Sequence, residues 1–496
     1  MKKIAVIGGG LGGLSAAITL AKEPHLDVTV YEKNAHLGGK LNEKTQDGFR
    51  FDLGPSILTM PHLFDKLWTM HGKTREDYVT FKKVNPHWRN FFEDGTTLDL
   101  LENVDEMVHE DALSDKDVAD LKRFLAYTER LYGATENMYF DNQAETILQT
   151  MKYHNPLTII RDVDLFSTMN DGVTRHVSNK YLVQILNFFA KYVGTNPYHA
   201  PAILNLLPYI QWEFGLWYVE GGLFELSKAL VKLGKEVGVT FETGSEVTKV
   251  SKSGGVIDHL EINGSKMVDV DGVVSNMEVI PFYRDITKED ASYVDKLEHK
   301  FSPAASGFAL HIGVNRTYDM LAHHNFFYTQ NPKGHYDSIF KKAELFEDPT
   351  IYLVAAGKTD PSVAPKGHEN IKILPHIPVS QDPPFTAEDY QLYKDKILEK
   401  LERMGLTDLR KHIVTEELWT PETIQQNYYS NKGAIYGVDS HKTVNRGFKN
   451  KKHSELYDNL YFVGGSVNPG GGMPMVILSG QQVKDQMLKN SRFQAK

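Results

Sequence analysis

The sequence predicts an α/β fold whose nucleotide-binding part is assembled from separate stretches of the chain, and two glycine-rich turns near opposite ends carry that prediction. Near the amino end, the apolar run Ile4-Ala5-Val6-Ile7 leads into Gly8-Gly9-Gly10-Leu11-Gly12-Gly13, a small-residue helical stretch follows, and residues 28–31 then deliver Glu32. Near the carboxyl end, Leu460-Tyr461-Phe462-Val463 meets Gly464-Gly465, and Pro469-Gly470-Gly471-Gly472-Met473-Pro474 approaches a helix expected at 475–487. Each is a strand, a turn and a helix in succession, the Rossmann-like order.

In the first unit every part has a reason. Gly8 permits the tight turn, Gly10 lets backbone approach a pyrophosphate, and Gly13 allows helix and strand to pack closely. Leu11 and Gly12 stand at the helix amino end, where free N–H groups and the positive dipole favour phosphate. Glu32, about twenty residues on, can accept both ribose hydroxyls, and its charge disfavours the 2′-phosphate of NADP. Lys2-Lys3, the apolar run and Ser15-Ala16-Ala17 imitate an export signal, but the five glycines between residues 8 and 13 interrupt the apolar segment a signal needs. The export reading is rejected, which makes the cytoplasmic side the expectation.

Next come Leu37-Gly38-Gly39-Lys40 and Gly48-Phe49-Arg50-Phe51-Asp52-Leu53-Gly54-Pro55-Ser56, short loops and strands where backbone can approach a ligand; taken singly, each glycine is equally an ordinary turn. Residues 61–218 turn helical and aromatic. Ser114-x-x-Asp117 predicts a capping box ahead of Val118, Leu121, Phe124, Leu125 and Leu131, and residues 157–189 are apolar at helical spacing. Gly221-Gly222 opens a helix expected at 223–233, followed by strands at 238–241, 246–250 and 268–275. Further strands are expected at 311–314 and 351–354, with a helix at 388–404. Two interleaved domains result: nucleotide-binding segments 1–65, 216–285 and 456–496, and an α+β substrate domain made of a largely helical 66–215 and of 286–455. A mononucleotide site at each end of the chain suits FAD better than NAD.

The 496 residues, 41% of them hydrophobic, suffice for a large core. With no cysteine, the chain forms no disulfide, zinc–thiolate or iron–sulfur site and has no thiol nucleophile, so redox chemistry requires a bound cofactor. A formal charge of −9 gives no basic footprint for nucleic acid. No apolar stretch approaches the roughly 18 residues of a membrane span. His323-His324 would point to opposite faces of a strand, and no metal site is expected. His311 and His376 are either core histidines or proton carriers. The cluster Lys442, Arg446, Lys449, Lys451 and Lys452 with Phe448 is either a solvated loop or a contact for anionic headgroups.

Taken together, Gly8-x-Gly10-x-x-Gly13 with Glu32, Gly38-Gly39-Lys40, Phe51-Asp52-Leu53-Gly54-Pro55, Tyr218-Val219-Glu220-Gly221-Gly222 and Val463-Gly464-Gly465-Ser466-Val467-Asn468-Pro469-Gly470-Gly471-Gly472-Met473-Pro474 resemble, in order, the carotenoid desaturase and oxygenase branch of the FAD-dependent amine-oxidase-like superfamily. Within that branch the chain is most similar to the terminal oxygenases of thirty-carbon carotenoids, through Pro55-Ser56-Ile57-Leu58-Thr59-Met60-Pro61, Gly215-Leu216-Trp217-Tyr218 and Gly433-Ala434-Ile435-Tyr436-Gly437. Val467-Asn468 stands where the related desaturases more often carry Thr-His.

The resemblance implies an amine-oxidase-like FAD domain. Gly8, Gly10, Leu11, Gly12, Gly13 and Glu32 would hold the adenosine and pyrophosphate, Val247 the adenine end, and Gly39, Lys40, Gly54, Pro55 and Ser56 would approach the cofactor. Gly465, Met473, Met475 and Val476 would sit by the isoalloxazine; no catalytic residue is singled out. The resemblance further implies an acyclic carotenoid substrate, dioxygen, oxidation of a terminal methyl to the aldehyde, and a peripheral position on the inner face of the cell membrane. Phe188, Phe189, Tyr192 and Trp212 have the character of a polyene tunnel, although core packing explains them equally. Desaturation or isomerisation on the same fold, a flavin amine oxidase, and a non-catalytic carotenoid carrier remain alternatives.

Overall fold

The computed structural model of the chain describes residues 1–136, 140, 143–146, 149 and 163–495. At its centre five parallel strands lie in the order Leu460–Phe462, Gly272–Ser275, Lys2–Ile7, Leu26–Glu32, Thr240–Thr243. The central strand shows why such a sheet must be covered twice. Ile4 and Val6 face one core with Ala16, Leu20, Val483 and Met487, while Ala5 and Ile7 face another with Val250, Ile257 and Leu260. Alternation along the strand therefore places apolar groups on both faces, as parallel sheets require.

The helices Leu11–Leu20 and Met473–Lys489 cover the first face. They meet at a glycine contact: a methyl group on Gly480 would stand 2.6 Å from the Gly12 carbonyl oxygen. An antiparallel sheet of Val247–Ser253, Val256–Ile262 and Lys266–Asp269 covers the second face. The single strand expected at 268–275 is thus two. The chain leaves the small sheet at Asp271, whose N–H donates to the Lys3 carbonyl at 2.8 Å and whose carboxylate accepts from Lys3 N–H at 2.8 Å, and it then joins the parallel sheet.

A second, mostly antiparallel sheet runs Ile413–Trp419, Ala309–Val314, Glu369–Ile377, Ile351–Val354, His324–Phe327, Trp88–Phe91, Thr97–Leu100, with Ser306–Gly307 paired to Glu369–Ile377. Helix Ala387–Arg403, started by a Thr386/Asp389 capping box, packs Tyr393, Ile397 and Leu401 on one face. The other face carries Trp88, Phe326 and Tyr352 into the helical region.

That region keeps the Ser114/Asp117 capping box, which opens helix Asp115–Thr135. The apolar run expected from 157 becomes, within the described residues, two helices, Met169–His176 and Lys180–Phe188; its beginning, 157–162, lies outside them. Thr168 and Asn179 each cap a new start. Among the described residues no helix is long and apolar enough to cross a membrane.

Candidate functional site

The carboxyl ends of the parallel strands open onto one cavity, the position where doubly wound sheets bind ligands. The amino-terminal turn shapes one wall. Gly8 takes φ +91°, which L side chains rarely adopt, and its N–H donates to the Tyr31 carbonyl at 2.8 Å. A methyl group on Gly13 would lie 2.1 Å from the Gly8 carbonyl oxygen, so only glycine lets the helix leave the strand at this angle. Gly10 caps the helix with no side-chain partner, leaving first-turn N–H groups without intrahelical partners. Glu32, 5% exposed, is held by Gly9 N–H at 2.7 Å and by Asn34 N–H at 2.8 Å. Those bonds fix the carboxylate at the cavity and leave it further acceptor sites.

The carboxyl-terminal turn supplies the facing wall. Gly464 at φ +102° and Gly472 at φ +96° bend the chain from strand to helix, and Gly472 again caps without a side chain. Two uncapped helix amino ends, from opposite ends of the sequence, thus converge on one space suited to anionic groups. Glycines at 10, 12 and 464 also make room for Asn276; methyl groups there would approach its amide to 2.6, 2.5 and 3.0 Å.

Of the residues expected to bind cofactor, Gly8, Gly10, Leu11, Glu32, Gly39, Lys40, Gly54, Pro55, Ser56, Val247, Gly465, Met473 and Val476 line this cavity. Gly12, Gly13 and Met475 do not. The Cα positions of Gly12 and Gly13 are crowded by Asn276, Gly464 and the Gly8 carbonyl while their backbone N–H groups stand in the first turn of the helix, and Met475 packs against the main core. The converging groups suit a dinucleotide: two positive helix ends for phosphates and a fixed carboxylate for a ribose.

Several wall residues carry no motif. Lys40 donates to the Ala434 carbonyl at 3.0 Å and lies 3.7 Å from Glu278, which accepts from Asn431 N–H at 3.1 Å. Burial lowers Lys40 and raises Glu278, and each partner's charge opposes the shift. Lys372 donates to the Gly54 carbonyl, to the Asp52 carbonyl at 3.3 Å and to Ser56 Oγ at 3.3 Å, while Asp52 Oδ1 accepts from Leu223 N–H at 3.0 Å. Burial pushes Asp52 up and Lys372 down, each moderated by the other's charge. Asn276 was within reach of the sequence, since it follows a strand of the parallel sheet. Lys372, on a strand of the second sheet, carried no such signal.

Of the expected tunnel aromatics, only Tyr192 reaches the cavity, beside Lys191, Tyr352 and Tyr436. Phe189 stacks on Trp88 at 4.2 Å and Trp212 at 6.1 Å, inside the main core with Phe188. His323 and His324 do not point apart: their rings meet at 4.4 Å, because the strand begins at His324 and its alternation does not extend back. Their Nδ1 atoms face Thr359 Oγ1 at 2.7 Å and the Tyr352 hydroxyl at 2.9 Å. Among the described residues no cluster of three or more His, Asp or Glu could hold a metal ion. Burial holds His311 well below its usual range and His376 at about 3, which makes both neutral core groups. The cationic cluster is divided: Lys449 is buried on the Val438 carbonyl at 2.6 Å and Lys452 on Glu145 at 3.0 Å, leaving Lys442, Arg446 and Lys451 outside.

A family model described as flavin containing amine oxidoreductase matches residues 11–488. The chain is 51% identical over 487 residues to the 4,4'-diaponeurosporene oxygenase of Staphylococcus aureus strain Mu50, covering 98% of both, and equally so to that of strain USA300. Its fold is similar to that of putrescine oxidase bound to putrescine (TM-score 0.67, 13% identity, 99% of each chain). It is also similar to an oxidoreductase from Methanosarcina mazei (0.65, 16%, 97% of this chain and 100% of that one) and to a fatty acid isomerase from P. acnes (0.64, 14%, 98% of each). At such identities these likenesses show the fold.

Proposed function

Because the chain belongs to the family of flavin containing amine oxidoreductases, we propose that it is an FAD-dependent oxygenase converting the terminal methyl group of an acyclic thirty-carbon carotenoid, 4,4'-diaponeurosporene or 4,4'-diapolycopene, to the aldehyde. The observation that carries this reading is 51% identity, over 98% of both chains, to a 4,4'-diaponeurosporene oxygenase. The converging helix ends and Glu32 favour FAD over a mononucleotide, since a ribose acceptor and two phosphate-binding ends lie along one cavity.

In this reading the backbone at Gly8, Gly10 and Leu11 cradles the pyrophosphate, Glu32 orients the ribose, Val247 borders the adenine, and Gly465, Met473 and Val476 border the isoalloxazine. Gly12 and Gly13 serve by setting the helix angle. Bound flavin supplies two-electron redox chemistry and, when reduced, the means to activate dioxygen. The chain's own work is positioning: Lys372 fastens the loop at 52–56, Lys40 and Glu278 hold a charged pair at the cavity wall, and Tyr192, Tyr352 and Leu374 give it an apolar lining that excludes water.

We place the enzyme peripherally at the inner face of the cell membrane, where so apolar a substrate resides. Leu165, Phe166 and Val444 are exposed, at 42%, 77% and 47%, and Lys442 Nζ donates to the Phe166 carbonyl at 2.7 Å. Apolar tips beside cations suit an anionic lipid surface.

The test is co-expression in cells accumulating either pigment, with mass spectrometry of extracts made under isotopically labelled dioxygen. Loss of two hydrogens and gain of one labelled oxygen per oxidised methyl is the expected product, read promptly because aldehydes exchange oxygen with water. Loss of hydrogen pairs alone would move the chain to the desaturases.

A further inference from the structure

The buried lysines are nearly all satisfied. Lys400 has the Tyr328 and Pro349 carbonyls, both at 2.9 Å, and Asp348 at 2.5 Å; Lys372, Lys449 and Lys452 have the partners described above. Lys191 differs. It is 3% exposed and faces the cavity, and among the described residues its Nζ has no hydrogen-bond acceptor and no carboxylate within ion-pair distance. Its surroundings are ring faces: Tyr352 at 4.0 Å, Tyr192 and Phe326 at 4.9 Å, and Trp88 at 5.1 Å. Those rings are themselves fixed, Trp88 on Phe326 at 4.5 Å and Phe326 on Tyr352 at 4.8 Å. A buried polar atom without a partner is costly, and a lysine walled on several sides by rings has one direction left in which to find one, the cavity.

We propose that Lys191 is a specificity-determining contact for the substrate: its amine hydrogen-bonds the oxygen of a polyene end already oxidised to the alcohol, and so retains that end for the second oxidation, to the aldehyde. The inference rests on the carotenoid-oxidation reading. Burial, unopposed by any carboxylate, lowers Lys191 well below the usual lysine range while the ring faces around Nζ favour the ammonium; either form donates N–H to an alcohol or aldehyde oxygen. The uncharged form has in addition a lone pair that accepts from an alcohol O–H, whereas a methyl end offers neither form anything. Lys372, committed to three oxygens, cannot play this part.

The experiment compares wild-type holoenzyme with Lys191→Met, which keeps the length and removes the hydrogen bonds, and with Lys191→Gln, which restores a donor and an acceptor. Equilibrium binding of matched thirty-carbon polyenes ending in methyl, alcohol or aldehyde is followed by quenching of tryptophan emission, and the alcohol-to-aldehyde product ratio is measured alongside. The expected result is a loss of roughly tenfold in affinity for the oxygenated ends in Lys191→Met, the scale of one hydrogen bond, with methyl-end binding unchanged, alcohol accumulating, and partial recovery in Lys191→Gln. Unchanged preference for oxygenated ends in Lys191→Met overturns the proposal, as does an equal loss for all three ligands, which would make Lys191 a structural residue. A wild-type protein that binds none of the polyenes overturns the carotenoid reading itself, and this inference with it.

Discussion

Two glycine-to-alanine substitutions should act in opposite directions, and the comparison isolates what the amino-terminal turn requires. At Gly13 a methyl group would sit 2.1 Å from the Gly8 carbonyl oxygen and 3.3 Å from Asn276 Cβ. The first contact is backbone of the turn that ends the central strand, so relief requires helix Leu11–Leu20 to move by about 1 Å, against its packing on helix Met473–Lys489. Overpacking of this kind costs about 1–3 kcal/mol, and a rigid strand places Gly13→Ala at the upper end. The same shift moves Gly10 and Leu11 in the wall of the cavity where we propose the flavin binds, so flavin affinity should fall by roughly tenfold or more. Gly133 lies in helix Asp115–Thr135 with nothing within 4 Å of a methyl group, so Gly133→Ala should stabilise by about 1 kcal/mol, the helix-propensity difference. Urea midpoints at constant slope, with flavin titration of the apoprotein, measure both effects. A Gly13→Ala protein with wild-type flavin affinity and stability would refute the packing argument.

Glu32→Gln keeps the size and removes the charge; with one oxygen replaced by a donor facing Gly9 or Asn34 N–H, flavin retention should fall by about 1.5–3 kcal/mol, and an unchanged dissociation constant would remove Glu32 from the site. Burial holds His87 at about 4 and His323, His335 and His376 at about 3, against an ordinary 6.5. Lowered folded values mean that the unfolded chain takes protons first. The stability these groups contribute is complete above pH 6.5 and lost as pH falls toward 4 for His87 and toward 3 for the other three, at about 1 kcal/mol per histidine over the first unit. Urea midpoints at pH 7 and 5.5 should differ accordingly, and equal midpoints would contradict the burial of these rings as neutral groups. Phe166→Ser should weaken sedimentation with anionic vesicles while leaving flavin content unchanged; equal sedimentation would remove this patch from the membrane contact.

What the sequence disclosed follows the range of the forces involved. Capping and turn signals are local, so the Ser114 box and the helix amino ends at Gly10 and Gly472 were legible from a few adjacent residues. Alternation was legible where a strand continued and misled where one began, as at His323 and His324. Aromatic richness between Phe188 and Trp212 marked a core, but which ring turns toward the cavity depends on helix rotation against Trp88 and Phe326, and only Tyr192 does so. The cationic run 442–452 looked uniform in sequence. Pairing of Lys452 with Glu145, 307 positions away, could not be read from its neighbours.

Long-range polar contacts of this kind also explain why the two sheets act on one cavity. Lys372 belongs to the second sheet, yet its ammonium reaches the loop at 52–56, and Asp52 in turn holds the amide at the start of helix Phe224–Glu236. The chain thus ties the loop at 52–56, helix Phe224–Glu236 and the second sheet through two buried groups, the Lys372 ammonium on the loop oxygens and the Asp52 carboxylate on the helix amide. Removing Lys372 takes a compensating charge from the buried Asp52 carboxylate and leaves the loop carbonyls unbonded, a cost on the scale of a few kcal/mol, whereas neutralising Asp52 as well removes the electrostatic part of it. Lys372→Met should therefore destabilise strongly, and adding Asp52→Asn should recover part of the loss while the loop at 54–56 stays unfastened. Stability regained without regained flavin affinity is the outcome that separates a positioning role at the cavity from a contribution to folding alone; recovery of both together would assign the pair to folding.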